Sequence, residues 1–566
     1  MRLGDFLLKR LAEIGTTRIF GVPGDYNLSF LEQVEAHASI EWVGTCNELN
    51  GAYAADGYAR TGKPGVLLTT YGVGCLSAIN GVAGAYCEHV PLIHISGAPP
   101  SHAVRDRAPL HHSLLDGGYR NIHRAFTEFT EYTARLSPEN AADVIDHALR
   151  VAFRSRRPVR LELPSDLTHV EIRTPDDVLT IEYPAAAGPP VDDAAGAVAR
   201  ALSAASRPLL LFDLPAVRWG AVEAIEQFCA ALDIPYFCTL PAVHQGNPEH
   251  LQYLGVLPGK QADRQAIFEA ADLVLACGFI ESDVTTGCFS LDLDSKQVVQ
   301  LQTGYTQLGG PSWTESAVYY GTGVAEVLTA ALPKVSEEFG ARQRWWSAPA
   351  APVVAAPSNS GGLDEEFFFA RLGAFLRPDD VLIAETGTSA QNLAGLPLPT
   401  GVRYINQTSW GSIGYALPAL LGSLMSTPER RHVLCIGDGS FQLTAQELST
   451  IIRHGFAPVI FLLNNRGYTI ERSILGARAS YNDVANWSYH ELPRVFGIDE
   501  SRLLTRVCAT RGELDAAMRE AADTTCLSFI EVALAPLDMT SATTNVGTAT
   551  RVYDYGVYGP QNPLRT

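Results

Sequence analysis

Two polar sequences in the last third of the chain follow stretches that are typical of β-strands. A Gly-Asp-Gly sequence centred on Asp438 comes after His432–Ile436, and 24 intervening residues (440–463) separate it from an Asn pair that ends at Asn465. Because the carboxyl ends of adjacent parallel strands meet at one edge of a sheet, these side-chain oxygens should converge there. Carboxylate and amide oxygens suit Mg²⁺, which keeps phosphate oxygens and water as its other ligands. The spacing therefore predicts a metal site that binds a phosphorylated ligand.

A helix predicted over Phe441–His454 directly follows the Gly-Asp-Gly sequence. Its first N–H groups, near Ser440, would point toward a diphosphate. For Gly-Asp-Gly alone, a plain strand, turn and helix is the simpler interpretation, but the downstream Asn pair favours the metal–diphosphate site. A second candidate for phosphate binding fails: Gly57–Pro64 fits GxxxxGK, yet Pro64 has neither the hydroxyl nor the N–H that a P-loop needs.

Composition limits the class of protein around this site. The chain has 566 residues, of which 46% are hydrophobic, and its net charge is −19. This length suggests three or four domains, and the negative charge argues against nucleic acid or an anionic membrane as a partner. The ten Cys form no CxxC pair, and no apolar run is long enough for a signal peptide or a membrane span. We therefore expect a soluble cytoplasmic protein.

Strand-like stretches alternate with helical patterns along the whole chain. Arg18–Phe20 and Leu92–Ile95 are examples of predicted strands, and Asn47–Arg60 is a predicted helix. This alternation predicts an α/β fold of three doubly wound domains, each with a parallel sheet. Stretches rich in Pro and Ala, at Thr174–Pro190 and Ala348–Gly362, are predicted linkers. The predicted domains are a first domain (1–180), a middle domain (190–340) and a last domain (360–545), with 546–566 left unassigned.

The spacing of Gly-Asp-Gly and Asn-Asn is the signature of thiamine diphosphate binding, and the chain from about Gly4 to Ala535 resembles the 2-oxo acid decarboxylases. This family acts on pyruvate, indolepyruvate, phenylpyruvate and branched-chain 2-oxo acids. The resemblance implies thiamine diphosphate and Mg²⁺ as cofactors, and it implies that the first domain (1–180) is the pyrimidine-binding domain and the last (360–545) the diphosphate-binding domain. The stretches that carry it are Phe20–Leu28, Asn47–Arg60, His111-His112, Trp410–Gly414 and Gly467–Glu471.

Several residues take cofactor-binding roles from this resemblance. Glu48 would bond the N1′ atom of the aminopyrimidine, Gly411 would offer its carbonyl to the 4′-amino group, and Ile413 would hold the cofactor in its bent form. From the sequence alone, Glu48 is an ordinary helix carboxylate and Ile413 an ordinary core residue. The implied metal ligands are Asp438, Asn465 and Gly467, and the further cofactor contacts are Thr386, Gly437, Gly439, Ser440 and Tyr468.

Four further residues match the polar groups that surround the reaction intermediate in this family: Asp25, His111, His112 and Glu471. Taken singly, Asp25 is typical of a turn and Glu471 of a helix start. The resemblance implies that they protonate the enamine formed after the cofactor ylide attacks the 2-oxo acid and CO₂ leaves, which yields an aldehyde. Burial would raise the pKa values of the carboxyls so that one stays protonated.

The substrate pocket is implied to include Ala390, Ile470 and Thr285. Family members usually carry an aromatic residue at position 390, so Ala390 favours a broad enzyme or one for branched-chain and aromatic substrates. A pyruvate decarboxylase and a thiamine diphosphate-dependent carboligase remain alternatives, as do an oxidoreductase and a non-catalytic scaffold. In the family, Glu48 and the metal site come from different subunits, which implies a homodimer at minimum; we expect a homotetramer. The Tyr/Gly/Pro-rich C-terminal segment does not match the helix that usually covers the family's active site.

Overall fold

The computed structural model describes residues 1–182, 186–258, 262–309, 316–335, 339, 343–348 and 362–556. Parts of both predicted linkers (183–185 and 349–361) and the last ten residues of the C-terminal segment lie outside the described residues. The chain forms three β-sheets whose strands alternate with helices, which confirms the predicted α/β fold class. The predicted domain boundaries stay predictions. No helix within the described ranges has the length and apolar character to cross a membrane.

The first sheet lies within residues 1–182 and is parallel throughout, in the order β2-β1-β3-β4-β6-β5. Its central strands are buried along their whole length, as expected when helices cover both faces of a sheet. The strands are β1 Arg18–Gly21, β2 Glu41–Gly44, β3 Gly65–Thr69, β4 Leu92–Ala98, β5 Tyr132–Arg135 and β6 Val159–Pro164, and the helices are Leu3–Glu13, Leu28–Glu35, Glu48–Ala59, Val73–Cys87, Ser101–Arg105, Asn121–Thr127 and Ala141–Ser155.

The second sheet has the order β13-β12-β11-β10-β7-β8-β9, and its first two strands are antiparallel to their neighbours. Only two residues join β11 to β12, with Gly304 at φ +102°, so no crossover helix fits between them. The strands are β7 Pro208–Phe212, β8 Tyr236–Cys238, β9 Tyr253–Val256, β10 Leu273–Cys277, β11 Gln297–Gln302, β12 Tyr305–Leu308 and β13 Ala317–Tyr320, and the helices and short 3₁₀ turns are Pro189–Ala204, Leu214–Arg218, Val222–Leu232, Leu240–Ala242, Ala262–Ala270, Asp283–Thr286, Val324–Ala331 and Leu332–Lys334.

The third sheet is parallel, in the order β15-β14-β16-β17-β19-β18, and it places the two predicted polar strand ends side by side. The strands are β14 Val381–Ala384, β15 Arg403–Ile405, β16 His432–Gly437, β17 Val459–Asn464, β18 Leu503–Cys508 and β19 Leu527–Ala533. The helices and short 3₁₀ turns are Glu365–Phe375, Thr388–Leu393, Ala416–Ser426, Asp438–Thr444, Glu447–Arg453, Thr469–Ile474, Ser480–Asn482, Tyr489–Glu491, Leu492–Val495, Glu500–Arg502, Arg511–Asp523 and Ser541–Tyr555.

Two helix predictions need correction. The helix predicted over Phe441–His454 is two helices, Asp438–Thr444 and Glu447–Arg453. The C-terminal segment left unassigned begins inside the helix Ser541–Tyr555, here called the C-terminal helix. Its contact face is built from small residues rather than from periodic apolar ones: a Cβ added at Gly547 would lie 2.1 Å from Ser473 Oγ. Tertiary packing therefore stabilises a helix that the apolar pattern does not reveal.

The first and third domains share one hydrophobic core, built where the helices Glu48–Ala59 and Ala416–Ser426 cross. Their backbones touch: a Cβ added at Gly422 would lie 1.9 Å from the carbonyl oxygen of Ala54. The same close approach occurs at Gly57, whose added Cβ would meet the Ala419 carbonyl oxygen at 2.3 Å. This crossing fixes the orientation of the helix that begins at Glu48.

Candidate active site

Asp438 and Asn465 lie where the sequence predicted, at the carboxyl ends of the adjacent strands β16 and β17. Asp438 is the first residue of its helix and is fully buried. Its Oδ1 accepts a hydrogen bond from the N–H of Gly439 at 2.7 Å, and its Oδ2 accepts one from the N–H of Gly467 at 3.1 Å. The carboxylate is therefore held in one orientation by backbone donors from both strand ends.

The Asn465 amide lies between the Asp438 carboxylate and the Gly467 carbonyl. One end of this amide lies 2.7 Å from the carbonyl oxygen of Gly467 and 3.3 Å from Asp438 Oδ1, and its other end lies 3.0 Å from Thr469 Oγ1. The amide donates to both oxygens when its nitrogen faces them, and turning the amide over would place its oxygen beside them, where Mg²⁺ could bind all three. Burial raises the pKa of Asp438 to about 6, and a bound cation would favour its charged form. The donor set therefore fits Mg²⁺.

Two glycines make this arrangement possible. Gly467 has φ +142°, and a Cβ added there would lie 2.0 Å from the carbonyl oxygen of Asn482. A Cβ added at Gly439 would lie 2.5 Å from the ring of Tyr468, so this tyrosine covers the start of the helix. Ser440 follows Gly439 in the first helical turn and is buried. The glycines are needed because backbone and ring approach too closely for any side chain.

Arg472 organises the metal-site loop and was not predicted. Its buried guanidinium donates to the carbonyl oxygens of Asn465 (3.1 Å) and Arg466 (2.8 Å), and to the Asp483 carboxylate (2.9 Å). An arginine that follows a helix-start glutamate is normally solvent-exposed, so no sequence pattern indicated this role. The guanidinium fork suits it because it reaches several oxygens at once.

Replacing Arg472 with lysine is expected to weaken Mg²⁺ binding about tenfold. The single ammonium of lysine reproduces only part of the fork, so the loop that carries Asn465 and Gly467 loses its fixed shape. The measurement is the Mg²⁺ dependence of cofactor binding to the apoenzyme. Arg466→Lys is the matched control, because Arg466 lies in the same loop with an exposed side chain. Equal Mg²⁺ affinity in both variants would contradict the role given to Arg472.

Asp25, His111 and His112 come together although 86 positions separate Asp25 from His111. Asp25 Oδ2 lies 2.8 Å from His111 Nε2, and Asp25 Oδ1 lies 4.0 Å from His112 Nε2. Tyr26 stacks on His111 with ring centroids 5.1 Å apart. Asp25 and His111 are nevertheless exposed, with 47% and 59% of their side chains accessible, so one chain alone does not supply the burial that we expected for the acid.

Glu48 starts its helix, where Asn47 caps the first turn by accepting the N–H of Asn50 at 2.8 Å. A Cβ added at Gly74 would lie 3.1 Å from Glu48 Oε1, and one added at Gly72 would lie 1.8 Å from the carbonyl oxygen of His112. The turn before the helix Val73–Cys87 therefore links Glu48 to the histidine pair. We call Asp25, Glu48, His111 and His112 the N-terminal half-site.

The predicted pocket residues of the third domain lie on two short helices that face each other. Ala390 is on Thr388–Leu393, and Ile470 and Glu471 are on Thr469–Ile474. A Cβ added at Gly387 would lie 3.6 Å from Ile470 Cγ2. Burial raises the pKa of Glu471. The C-terminal helix packs on the helix that carries Glu471, so a helix does lie beside this pocket, contrary to the sequence-based expectation.

A cavity of about 50 Å³ extends behind Ala390. Thr386, Gly387 and Tyr404 line it, together with Leu240 and Val243 of the middle domain. Thr386 is anchored next to it, since its hydroxyl donates to the carbonyl oxygen of Gln407 at 3.1 Å. Thr285 instead takes part in the capping box at the start of its own helix and is buried. Its hydroxyl donates to the carbonyl oxygen of Ile280 at 2.6 Å. The pocket role of Thr285 stays a prediction.

The C-terminal half-site consists of the three predicted metal ligands, Glu471, the pocket residues Ala390 and Ile470, and a turn at Gly411–Tyr415 that holds the predicted Ile413. Gly411 has φ +65°, and a Cβ there would meet nothing within 4 Å. Among the described residues, no hydrogen bond, ion pair or ring contact joins the four side chains of the N-terminal half-site to the C-terminal half-site. The helix of Glu48 is nevertheless tied to the third domain: Asn50 Nδ2 donates to Glu447 Oε2 at 2.7 Å, and the Tyr53 hydroxyl lies 2.6 Å from Ser412 Oγ. The predicted catalytic side chains of the two half-sites therefore do not touch within one chain.

Family models match all three domains. The N-terminal TPP-binding domain of thiamine pyrophosphate enzymes matches residues 1–118, their central domain matches 195–330, and their C-terminal TPP-binding domain matches 385–532. These matches and the metal-site geometry place the cofactor-binding sequences in the first and third domains.

Curated relatives extend over almost the whole chain. An alpha-keto-acid decarboxylase of Mycolicibacterium paratuberculosis is 39% identical over 523 residues, which cover 92% of this chain and 91% of the relative. An alpha-keto-acid decarboxylase of Mycobacterium ulcerans is 38% identical over 541 residues, with the same coverage of each chain. A Schizosaccharomyces pombe relative, whose provisional name gives pyruvate as the substrate, is 34% identical over 557 residues and covers 95% of this chain and 96% of its own. The chain therefore belongs to the thiamine diphosphate-dependent 2-oxo acid decarboxylases, a family of carboxy-lyases.

Proposed function

We propose that this enzyme converts 2-oxo acids to aldehydes and CO₂ with Mg²⁺ and thiamine diphosphate. The convergence of the Asp438 carboxylate, the Asn465 amide and the Gly467 carbonyl carries this proposal, because these three groups could bind Mg²⁺ at the start of the helix Asp438–Thr444. The relatives named for keto-acid decarboxylation support the reaction. Bound thiamine diphosphate supplies the nucleophilic carbon and accepts the electrons that CO₂ leaves behind.

The residues of the chain bind and orient the cofactor. Asp438, Asn465 and the Gly467 carbonyl would hold the Mg²⁺ ion. Glu48 would donate a proton to N1′ of the aminopyrimidine, and the carbonyl of Gly411 would accept from its 4′-amino group. Ile413, in the same turn, would pack against the cofactor. Asp438 is fully buried and is held by the N–H groups of Gly439 and Gly467, which fixes its orientation.

The Asp25–histidine cluster and Glu471 supply the proton that completes the aldehyde. The 2.8 Å contact between Asp25 and His111 lets the pair share a proton, and His112 lies within reach of the other carboxylate oxygen. Glu471 holds its proton more strongly than an exposed glutamate because burial raises its pKa. Acids on both half-sites would face the reacting carbon in the assembled site.

A dimer is the smallest assembly that we propose, and a tetramer is the expected one. Separate half-sites support this, because Glu48 of one chain must meet Asp438 of another. Exposed apolar side chains surround both half-sites: Leu114 and Leu115 follow the histidine pair with 72% and 63% exposed, and Leu443 lies on the helix that begins at Asp438 with 49% exposed. Such side chains indicate a protein interface. The ten cysteines form no disulfide, which supports a cytoplasmic location.

For the substrate, we propose branched-chain and aromatic 2-oxo acids, with pyruvate as the alternative. The cavity behind Ala390 supports this, because an aromatic side chain at that position would fill it. The test is aldehyde formation at saturating Mg²⁺ and thiamine diphosphate, compared by kcat/KM for pyruvate, a branched-chain 2-oxo acid, phenylpyruvate and indolepyruvate. A preference for pyruvate would refute the substrate proposal, whereas no aldehyde from any of them would refute the reaction.

Replacing Ala390 with tryptophan is expected to lower kcat/KM for phenylpyruvate at least tenfold and to leave that for pyruvate within about twofold. The indole would occupy the space behind Ala390, and pyruvate has only a methyl group to place there. The ratio of the two kcat/KM values is the measurement, and pyruvate is the internal control. An equal loss on both substrates would mean that the substitution distorts the helix Thr388–Leu393 instead of filling the pocket.

A further inference from the structure

Glu385 is a buried carboxylate between two segments of the C-terminal half-site. It follows β14 directly and is 1% exposed. Its Oε1 accepts the N–H of Thr386 at 3.0 Å and its Oε2 accepts the N–H of Ala416 at 3.0 Å. The carboxylate also accepts the N–H of Gly414. One side chain therefore joins the start of the pocket segment to the end of the Gly411–Tyr415 turn.

The Gly411–Tyr415 turn is supported from its other sides as well. Thr444, at the end of the helix that begins at Asp438, donates its hydroxyl to the carbonyl oxygen of Gly414 at 2.8 Å. The N–H of Ser412 donates to Gln407 Oε1 at 3.2 Å. A Cβ added at Gly411 would meet nothing within 4 Å, so the turn is open at this end. The turn is thus held at Ser412 and Gly414 and open at Gly411, where the proposal places the aminopyrimidine.

Glu385 has no cationic partner among the described residues. None of the ion pairs among the described residues includes it, and its polar partners are backbone N–H groups. Burial raises the pKa of Glu385 to about 7, while the N–H groups of Ala416, Thr386 and Gly414 oppose that rise. A buried carboxylate with only backbone donors is costly, so its geometry has to be maintained by the segments that it joins.

We propose that Glu385 is a positioning residue that fixes the Gly411–Tyr415 turn relative to Thr386, so that the turn is preformed for the aminopyrimidine of the cofactor. This inference rests on the cofactor placement proposed above. Glu385 touches no reacting atom; it acts through the backbone of Gly414 and Ala416. Its role is therefore confined to the pyrimidine end of the cofactor, while Asp438 and its neighbours bind the diphosphate end.

The test compares two ligands on the Glu385→Gln apoenzyme in the presence of Mg²⁺. Glutamine has one acceptor oxygen where glutamate has two, so one backbone N–H loses its partner. Thiamine diphosphate should bind about tenfold more weakly than to the unmodified apoenzyme, whereas inorganic diphosphate should bind within about twofold. Titration calorimetry gives both constants and does not depend on any decarboxylation, so the proposed reaction is tested separately.

Asp213→Asn is the matched control. Asp213 also follows a strand, is 1% exposed, and accepts the N–H groups of Leu214 (2.7 Å) and Ile280 (3.1 Å) from two separate segments, but it lies in the middle domain. It should lower thermal stability without changing the ratio of the two binding constants. Equal losses for thiamine diphosphate and inorganic diphosphate in Glu385→Gln, or an unchanged affinity for thiamine diphosphate, would overturn the proposal.

Discussion

Replacing Asp438 with asparagine is expected to weaken Mg²⁺-dependent binding of thiamine diphosphate by at least about 100-fold, with a matching loss of activity at ordinary cofactor concentrations. Asp438 is the only charged group among the three proposed metal ligands. Losing about 3 kcal/mol of charge–cation stabilisation corresponds to this factor. The measurement is titration of the apoenzyme with thiamine diphosphate at fixed Mg²⁺, followed by calorimetry or by quenching of tryptophan fluorescence.

The stability of the apoenzyme separates this effect from misfolding. Burial raises the pKa of Asp438 to about 6, so at pH 7.5 the metal-free protein holds a carboxylate whose charge the fold disfavours. The neutral asparagine removes that cost but leaves one of the two backbone N–H groups at Gly439 and Gly467 without an acceptor, so the Tm of the apoenzyme should stay about equal. Wild type should gain Tm when Mg²⁺ and thiamine diphosphate are added, and the variant should not. An equal gain in both proteins would show that Asp438 does not bind the metal.

The convergence of Asp438 and Asn465 was the part of the candidate site most accessible to prediction, because both residues follow strands that are close in sequence. A parallel sheet forces the residues after β16 and β17 to one edge, so Asp438 and Asn465 need only the correct strand pairing to meet. The glycines at 439 and 467 could also be predicted from the sequence, since phosphate and metal sites require a close approach of the backbone. Local sequence and one topological rule were sufficient there.

The supporting residues depend on contacts that sequence does not encode locally. Arg472 and Glu385 have ordinary residue types, and only the folded loops show that their polar groups bind backbone of the site. The C-terminal helix has small residues at its contact face, so apolar periodicity does not reveal it. Asp25 and His111 were paired only through the family resemblance, because the 86 positions between them leave no local signal. The residues that position the site are therefore the ones that the structure reveals and the sequence does not.

The subunit arrangement gives the second large effect, which is a recovery of activity from two inactive variants. Glu48→Gln is expected to lower kcat about 10³-fold because it removes the group that protonates the aminopyrimidine, and Asp438→Asn loses the cofactor. If each active site takes Glu48 from one chain and Asp438 from the other, a hybrid dimer contains one site with both substitutions and one site with neither. Coexpression in equal amounts yields hybrids as about half of the dimers, so total activity should return to about a quarter of wild type.

The alternative arrangement predicts the opposite result. If Glu48 and Asp438 of the same chain formed a site, every chain in a hybrid would lack one essential group, and coexpression would stay at the background of the single variants. A mixture of the two separately purified proteins, measured before subunits exchange, is the matched control and should be inactive in both cases. Recovery is expected because no described hydrogen bond or ion pair joins Glu48 to Asp438 within a chain, while Glu447 and Ser412 tie the Glu48 helix to the domain that carries Asp438. In the proposed dimer, each chain would therefore contribute the carboxylate for the aminopyrimidine to one site and the proposed metal ligands to the other.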